Sequence, residues 1–221
     1  MARQLPTEDL IRLLCEENVD AFHKLLAAIR GSTPNEAEQS LGFSHKFMAW
    51  ASRDIFLSLN DVDLSGKCLS NVCLAGIALV RANFSRADLR HADLRQCDLT
   101  QAVFNDVNLS SADLRDAKLY KTSFVDADLR HANLKGVELT RADLSGADLR
   151  KAQLAGAVFI KTDLRDANLY GVDVVGVDFH ECKVSGANFW GTYGLSKELR
   201  KQIISQLTKS WDDPCYSAEW L

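Results

Sequence analysis

The side chains best suited to chemistry are thinly spread. His180-Glu181-Cys182 is the one compact cluster of thiol, imidazole and carboxylate, the set from which an activated nucleophile is built. His91 and His131 stand forty residues apart, so they become a metal site only if the fold closes that distance. Six cysteines (Cys15, Cys68, Cys73, Cys97, Cys182, Cys215) show no C-x-x-C spacing. That pattern fits neither a zinc module nor a disulfide scaffold, and reduced thiols are expected. Arg90, Arg130 and Arg150 recur at multiples of twenty, as do Arg95, Arg115 and Lys135, and cations in such rows suit a phosphate backbone. Most have an acid two residues earlier: Asp88, Asp128 and Asp148 for the first set, Asp93 and Asp113 for the second. The rows therefore read as a solvated, charge-laced surface and not as a nucleic-acid site.

Composition narrows the classes further. The chain has 221 residues, 47% hydrophobic and 25% charged, with 26 Lys+Arg against 30 Asp+Glu and a formal net charge of -4. It can bury a core, and it offers nucleic acid or an anionic membrane no general attraction. There is no run of about 18 apolar residues and no basic-then-apolar leader, so a cytoplasmic protein is expected.

Which reactive groups can meet depends on the elements that hold them, and the sequence repeats every five residues. From Leu64 to Phe189 in steps of five there are 26 centres, of which 18 are Leu, 6 Phe and 2 Val (Val174, Val184). Two residues before each centre stands a small or β-branched residue, 14 times Ala, with Lys67 as the departure. Directly before the centre, Asp or Asn fills 16 of 26 places, as in Ala87-Asp88-Leu89-Arg90 and Ala167-Asn168-Leu169-Tyr170. The register does not slip from 62 to 191. Pro6, Pro34 and Pro214 all lie outside it, and nine of the repeats carry Gly at the fifth place.

This pattern, A(D/N)LxX, resembles the pentapeptide-repeat family over 130 of 221 residues. The resemblance implies a mainly β fold, a right-handed quadrilateral β-helix in which four pentapeptides make one square coil. Centres and the residues two before them point inward, and the other three face water. At twenty residues per coil the segment makes about 6.5 coils, a rod roughly 31 Å long at the spacing of β-strands. Phe84, Phe104 and Phe124 are spaced by twenty, and so are Phe159 and Phe179, so same-column rings are expected to stack as core ladders.

Three segments follow: a helical cap region at 1–61, the β-helix at 62–191, and a C-terminal cap or dimerisation segment at 192–221. In the first, Thr7 can cap a helix and Thr33-Pro34-Asn35-Glu36 reads as a capping box before the aromatic stretch Phe43, Phe47, Trp50 and Phe56. In the last, Ser196 can cap a helix bearing Leu199, Ile203, Ile204 and Leu207, followed by Trp211, Tyr216 and Trp220. That tail either covers its own rod, where Tyr170 and Trp190 share a column, or joins two chains, as it does in some family members.

The implied register returns to the reactive residues. It turns Cys182 inward and His180 and Glu181 outward, and sets His91 and His131 about 9.6 Å apart, too far for one metal. A filled rod has no concave pocket, so no catalytic residue, cofactor or metal is expected. The expected function is a non-enzymatic scaffold binding another protein, with no nucleic acid and no membrane, as a monomer or a homodimer through the C-terminal segment. The candidate face is the uncharged outward column Val80, Thr100, Tyr120, Thr140, Ile160 and His180, with Val158 beside it. The alternative is that β-branched and aromatic residues there merely favour strands. The family also includes mimics of B-form DNA that bind gyrase and confer quinolone tolerance. Such mimicry needs acidic excess, whereas residues 62–191 carry 17 acids against 16 Lys+Arg. A purely self-associating rod is the third reading.

Overall fold

The computed structural model describes residues 58–206. The helices and aromatic stretch expected before residue 58, and the tail residues from 207 onward, lie outside them. Parallel β-bridges join residues twenty apart from Ser58↔Ala78 to Asp173↔Tyr193, always at the residue before a centre. Between bridges the chain turns a corner every five residues, so one coil has four faces. The first face begins at 62–66, the second at 67–71, the third at 72–76 and the fourth at 77–81, each recurring every twenty residues. Pairing starts ahead of the expected boundary at 62: Ser58 is bridged and Leu59 fully buried.

Every fifth residue from Asp61 to Gly191 has φ between 55° and 74°. The carbonyl of each centre accepts a bond from the N–H three residues on, as in Ala82 to Leu79 at 3.1 Å, closing a turn whose third residue is left-handed. Left-handed backbone costs a non-glycine residue about 1–2 kcal/mol and is worst for β-branched side chains. The corner residues are accordingly Gly, Asp, Asn, Ser, Gln, Glu, Lys, Arg or His, with no Val, Ile or Thr among them. Corners also touch along the rod. A Cβ on Gly146 would collide with Oδ1 of Asp126, and one on Gly186 with Oδ1 of Asp166, because each acid leans over the corner one coil further on.

Inside, every centre from Leu59 to Phe189 is buried. Phe84 and Phe104 stack with ring centroids 4.8 Å apart, Phe104 and Phe124 at 5.0 Å, and Phe159 and Phe179 at 5.1 Å. These spacings are those of the coils themselves. The polar inward residues bond to a centre carbonyl one coil back: Thr122 Oγ1 donates to Leu99 at 3.0 Å, Thr162 to Leu139 at 2.8 Å, and the Cys97 thiol to Leu74 at 3.0 Å. Lys67, the exception in the inward pattern, is only half-buried.

The Asp or Asn before the centre does a backbone job. Its side-chain oxygen accepts the N–H two residues on, as from Arg90 to Asp88 at 3.1 Å, Ser110 to Asn108 at 3.1 Å and Tyr170 to Asn168 at 3.1 Å. Val80 and Val125 follow Ala78 and Ser123, which do not do this, and their N–H groups bond instead to Asn60 and Asn105 of the preceding coil.

At the end of the described chain, helix α1 (Lys197–Gln206) starts where Ser196 Oγ accepts the Leu199 N–H at 3.1 Å. Leu195, Leu199 and Ile203 extend the buried core. No helix of the described residues is long and apolar enough to cross a membrane.

Phe104→Ala opens a void between two stacked rings and is expected to cost about 3–5 kcal/mol in urea unfolding. Asn108→Ala strands one N–H and costs about 0.5–1.5 kcal/mol, Asn108→Asp restores it, and Arg115→Ala stays within about 0.5 kcal/mol.

Candidate functional site

The expected face is assembled as one column. Val80, Thr100, Tyr120, Thr140 and Ile160 each precede a left-handed corner of the fourth face and are half-buried, because neighbours above and below cover their flanks; His180, in the last fourth-face repeat, is exposed. Val158 lies beside them in the bridging column between Glu138 and Asp178. The corner beside this column reads Arg81, Gln101, Lys121, Arg141, Lys161 and Glu181. Arg81 pairs with Asp61 at 2.6 Å and Lys161 with Glu181 at 3.3 Å. Among the described residues neither Lys121 nor Arg141 has a carboxylate partner. Both attend Tyr120: Arg141 Nη1 donates to its hydroxyl at 3.4 Å, and the Lys121 ammonium lies 5.3 Å from its ring centroid. These two contacts join neighbours across a corner and across coils, and nothing in the linear order of residues marks them.

One property of the face departs from expectation. The column is uncharged, yet the most exposed large apolar side chains among the described residues are Tyr170, Val175 and Tyr193, on the second and third faces. Column membership can be read by counting in twenties, whereas exposure depends on what stacks above and below.

The reactive cluster is pulled apart. The buried Cys182 thiol donates to the Phe159 carbonyl, and burial pushes its pKa up to about 12, so little thiolate forms. His180 and Glu181 face solvent and touch each other at 3.1 Å. Burial likewise pushes the Cys97 thiol up to about 12. His91 and His131 are exposed corner residues with Ser111 between them in the column. Cys68 is exposed and Cys73 half-buried. Among the described residues no three His, Cys, Asp or Glu side chains converge as metal ligands.

The arginines of the outward columns on the second and third faces are engaged within their own repeats. Arg90 grips Asp88 through Nε and Nη2 at 2.8 and 2.6 Å, and Arg95–Asp93, Arg115–Asp113, Arg130–Asp128 and Arg150–Asp148 repeat the geometry. The guanidinium bonds hold the carboxyls of Asp88, Asp93 and Asp128 below the usual range. At Asp163 burial pushes upward, and bonds from Arg165 and Lys183 outweigh it to leave a net lowering.

A four-cornered solenoid with one bridge and one left-handed turn per five residues defines a β-helical repeat protein. The family model described as pentapeptide repeats matches in 8 copies over residues 82–120, 122–159, 138–174 and 152–191. The chain belongs to the pentapeptide-repeat family. No curated protein matches it. Among solved structures it is similar to QnrB1, a plasmid-mediated fluoroquinolone resistance protein, at 20% identity over 69% of this chain and 89% of that one, with a TM-score of 0.45. It is also similar to HetL, involved in heterocyst differentiation regulation in Nostoc sp. strain PCC 7120, at 22% identity over 63% and 87%, TM-score 0.30. A third likeness is Rfr23 from Cyanothece 51142, at 23% identity over 62% and 91%, TM-score 0.32. These scores are too low for the roles of those proteins to be read across.

The lowered carboxyls carry a pH signature. Their folded pKa values lie below the unfolded value of about 3.9, so the stability they contribute is present above it and is lost as pH falls through the folded values. Asp88→Asn with Asp128→Asn keeps the N–H acceptor and removes the titration. The variant is expected to show a shallower fall in urea midpoint between about pH 4 and 2 than the unsubstituted protein.

Proposed function

We propose that the chain is a non-enzymatic scaffold: a β-helix of about 6.5 coils, with helical caps at both ends, that binds another protein in the cytoplasm through its fourth face. The observation that carries the reading is the contrast between faces. On the second and third, arginine and aspartate satisfy each other within a repeat, while on the fourth the outward column from Val80 to Ile160 is uncharged and borders Lys121 and Arg141, which have no carboxylate partner among the described residues. A stiff row of half-buried side chains loses little freedom on binding, and the two cations favour an acidic partner surface. Among the described residues no nucleophile, base and orienting group come together, which supports a binding role. Nucleic acid and membrane are not the expected partners, and the protein works as a monomer or as a homodimer through its C-terminal segment.

Gyrase modulation by DNA mimicry is the competing reading, and the paired arginines speak against it because they neutralise the acids that a mimic must display. The purified protein is expected to leave gyrase supercoiling unchanged, with and without a quinolone, at concentrations comparable to the enzyme.

The face itself is tested by Tyr120→Glu with Ile160→Glu, in a protein whose melting temperature is little changed. Affinity capture from the native host followed by mass spectrometry is expected to lose one specific protein with this variant and to keep it with a control substitution on the second face, Ser110→Glu. Equal capture by both variants and the parent would remove the fourth face as the binding site.

A further inference from the structure

One face of one coil is left unpaired. From Ser58 to Tyr193 every twenty-residue step between bridging residues is made save Gln153 to Asp173, while the other three faces of the same two coils keep theirs at Asp143↔Asp163, Asp148↔Asn168 and Val158↔Asp178. Around the opening five N–H groups have no acceptor among the described residues: those of Lys151, Leu154, Ala155 and Gly156 on one lip and Asp173 on the other. One coil earlier the equivalents are bonded, His131 to Arg150 at 3.1 Å, Leu134 to Gln153 at 2.9 Å, Gly136 to Ala155 at 3.1 Å, and Lys135 to the Asn133 side chain at 3.4 Å. Ala155 lacks its bond because Gln153 stands where Asp93, Asp113 and Asn133 stood, with a side chain one carbon too long for the same turn.

The parting uncovers its lips. Gln153 and Asp173 are exposed where Asp93, Asp113 and Asn133 are half-buried, and Val175 is 63% exposed. A groove of about 320 Å³ runs between Lys135, Gln153, Leu154, Ala155, Asp173 and Val175, at the lower end of the range for ligand sites. The donors of Leu154 and Gly156 are two residues apart, and so are the carbonyls of Asp173 and Val175 that they would have met. A lone anion serves the donors and leaves the carbonyls unmet. An extended polypeptide offers carbonyls and N–H groups along one edge at that same two-residue spacing.

Charge narrows the choice of polypeptide. Lys135, which lines the groove, and Lys151, whose N–H opens it, have no carboxylate partner among the described residues. Asp173, the acid that lines the groove, already accepts the Val175 N–H at 3.0 Å. Ala155 and Val175 give the groove an apolar wall between these charges. We propose that this opening is a docking slot for an extended segment of another protein, its main chain paired to the lips, an apolar side chain against Val175 and a glutamate or aspartate toward Lys135. The slot lies on the third face and does not depend on the fourth-face column.

The test is nuclear magnetic resonance of the isotope-labelled full chain with a five-residue probe that alternates glutamate and valine, acetylated and amidated at its ends. Without probe, the amides of Leu154 and Gly156 are expected to exchange about tenfold or more faster than those of Leu134 and Gly136, and millimolar probe to slow them by about tenfold. A probe N-methylated along its main chain, and one with lysine for glutamate, are each expected to bind about tenfold or more weakly. Lys135→Glu with Val175→Glu is expected to abolish the response while the signals from Phe84 to Leu129 stay in place; if those move, Lys135→Gln with Val175→Ser replaces it. Amides already slow without probe, no slowing with probe, equal binding of the N-methylated probe, or a substituted protein that responds as the parent does each overturns the proposal. Sodium acetate that slows the same amides as well as the peptide does also overturns it, because a simple anion site then suffices.

Discussion

Everything in this rod follows from one requirement, that each backbone N–H find an acceptor in a chain that turns a corner every five residues. The repeat around Leu89 displays the solution. Asp88 donates back to Lys67, Leu89 and His91 donate forward to Asn108 and Ser110, and Ala92 closes the turn onto Leu89. The fifth N–H, that of Arg90, points at no other backbone and is taken by the Asp88 carboxylate. Five donors thus use five different acceptors, and the repeat is five residues long because the set closes there. Apolar burial by the stacked centres supplies the driving force, but this bonding set fixes the register in which it acts.

Much of this was legible in the sequence, and the gaps have physical causes. The inward places of Leu, Phe and Ala follow from counting, and so do the Phe stacks, since a twenty-residue step is one coil. The preference for Asp or Asn before the centre was visible as a frequency, but its reason is a side-chain bond to a backbone group two residues on, which no composition rule exposes. The left-handed corner was read only through its glycines. A further signal was present in the absence of Val, Ile and Thr from that column, which even the eighteen non-glycine corners respect. Within the candidate face, membership of the column from Val80 to His180 was readable, while the contacts of Tyr120 with Lys121 and Arg141 were not, because they join adjacent corners and coils.

The surface divides into regions of different electrostatic character on one rigid frame. Where Asp and Arg alternate at i and i+2, each pair is satisfied inside its own repeat and reaches the next coil only weakly, as between Arg130 and Asp148 at 3.9 Å. Such exposed pairs contribute little to stability and keep the flank hydrated. Faces that lack this self-pairing stand out, and they are the ones available to other molecules or other parts of the chain. The fold leaves the choice of surface residue almost free outside the corner and bridging columns, so binding specificity can be written on a face without disturbing the core.

The lean of Asp126 over Gly146 and of Asp166 over Gly186 has a consequence for how such a rod can grow or shrink. At these two places an acid fills the space above a glycine, whereas Asp106 is followed by Asp126 and Asp61 by Arg81, so the coils are not interchangeable tiles. A duplicated or deleted block of twenty residues preserves every bridge, yet it re-pairs the corners at its seams. Excision of residues 127–146 would set Asp126 against the corner of Asp166, two carboxylates where one faced a bare Cα. Length variation in this rod is therefore constrained by which corners become neighbours, a rule with the range of a whole coil and no trace in any single repeat.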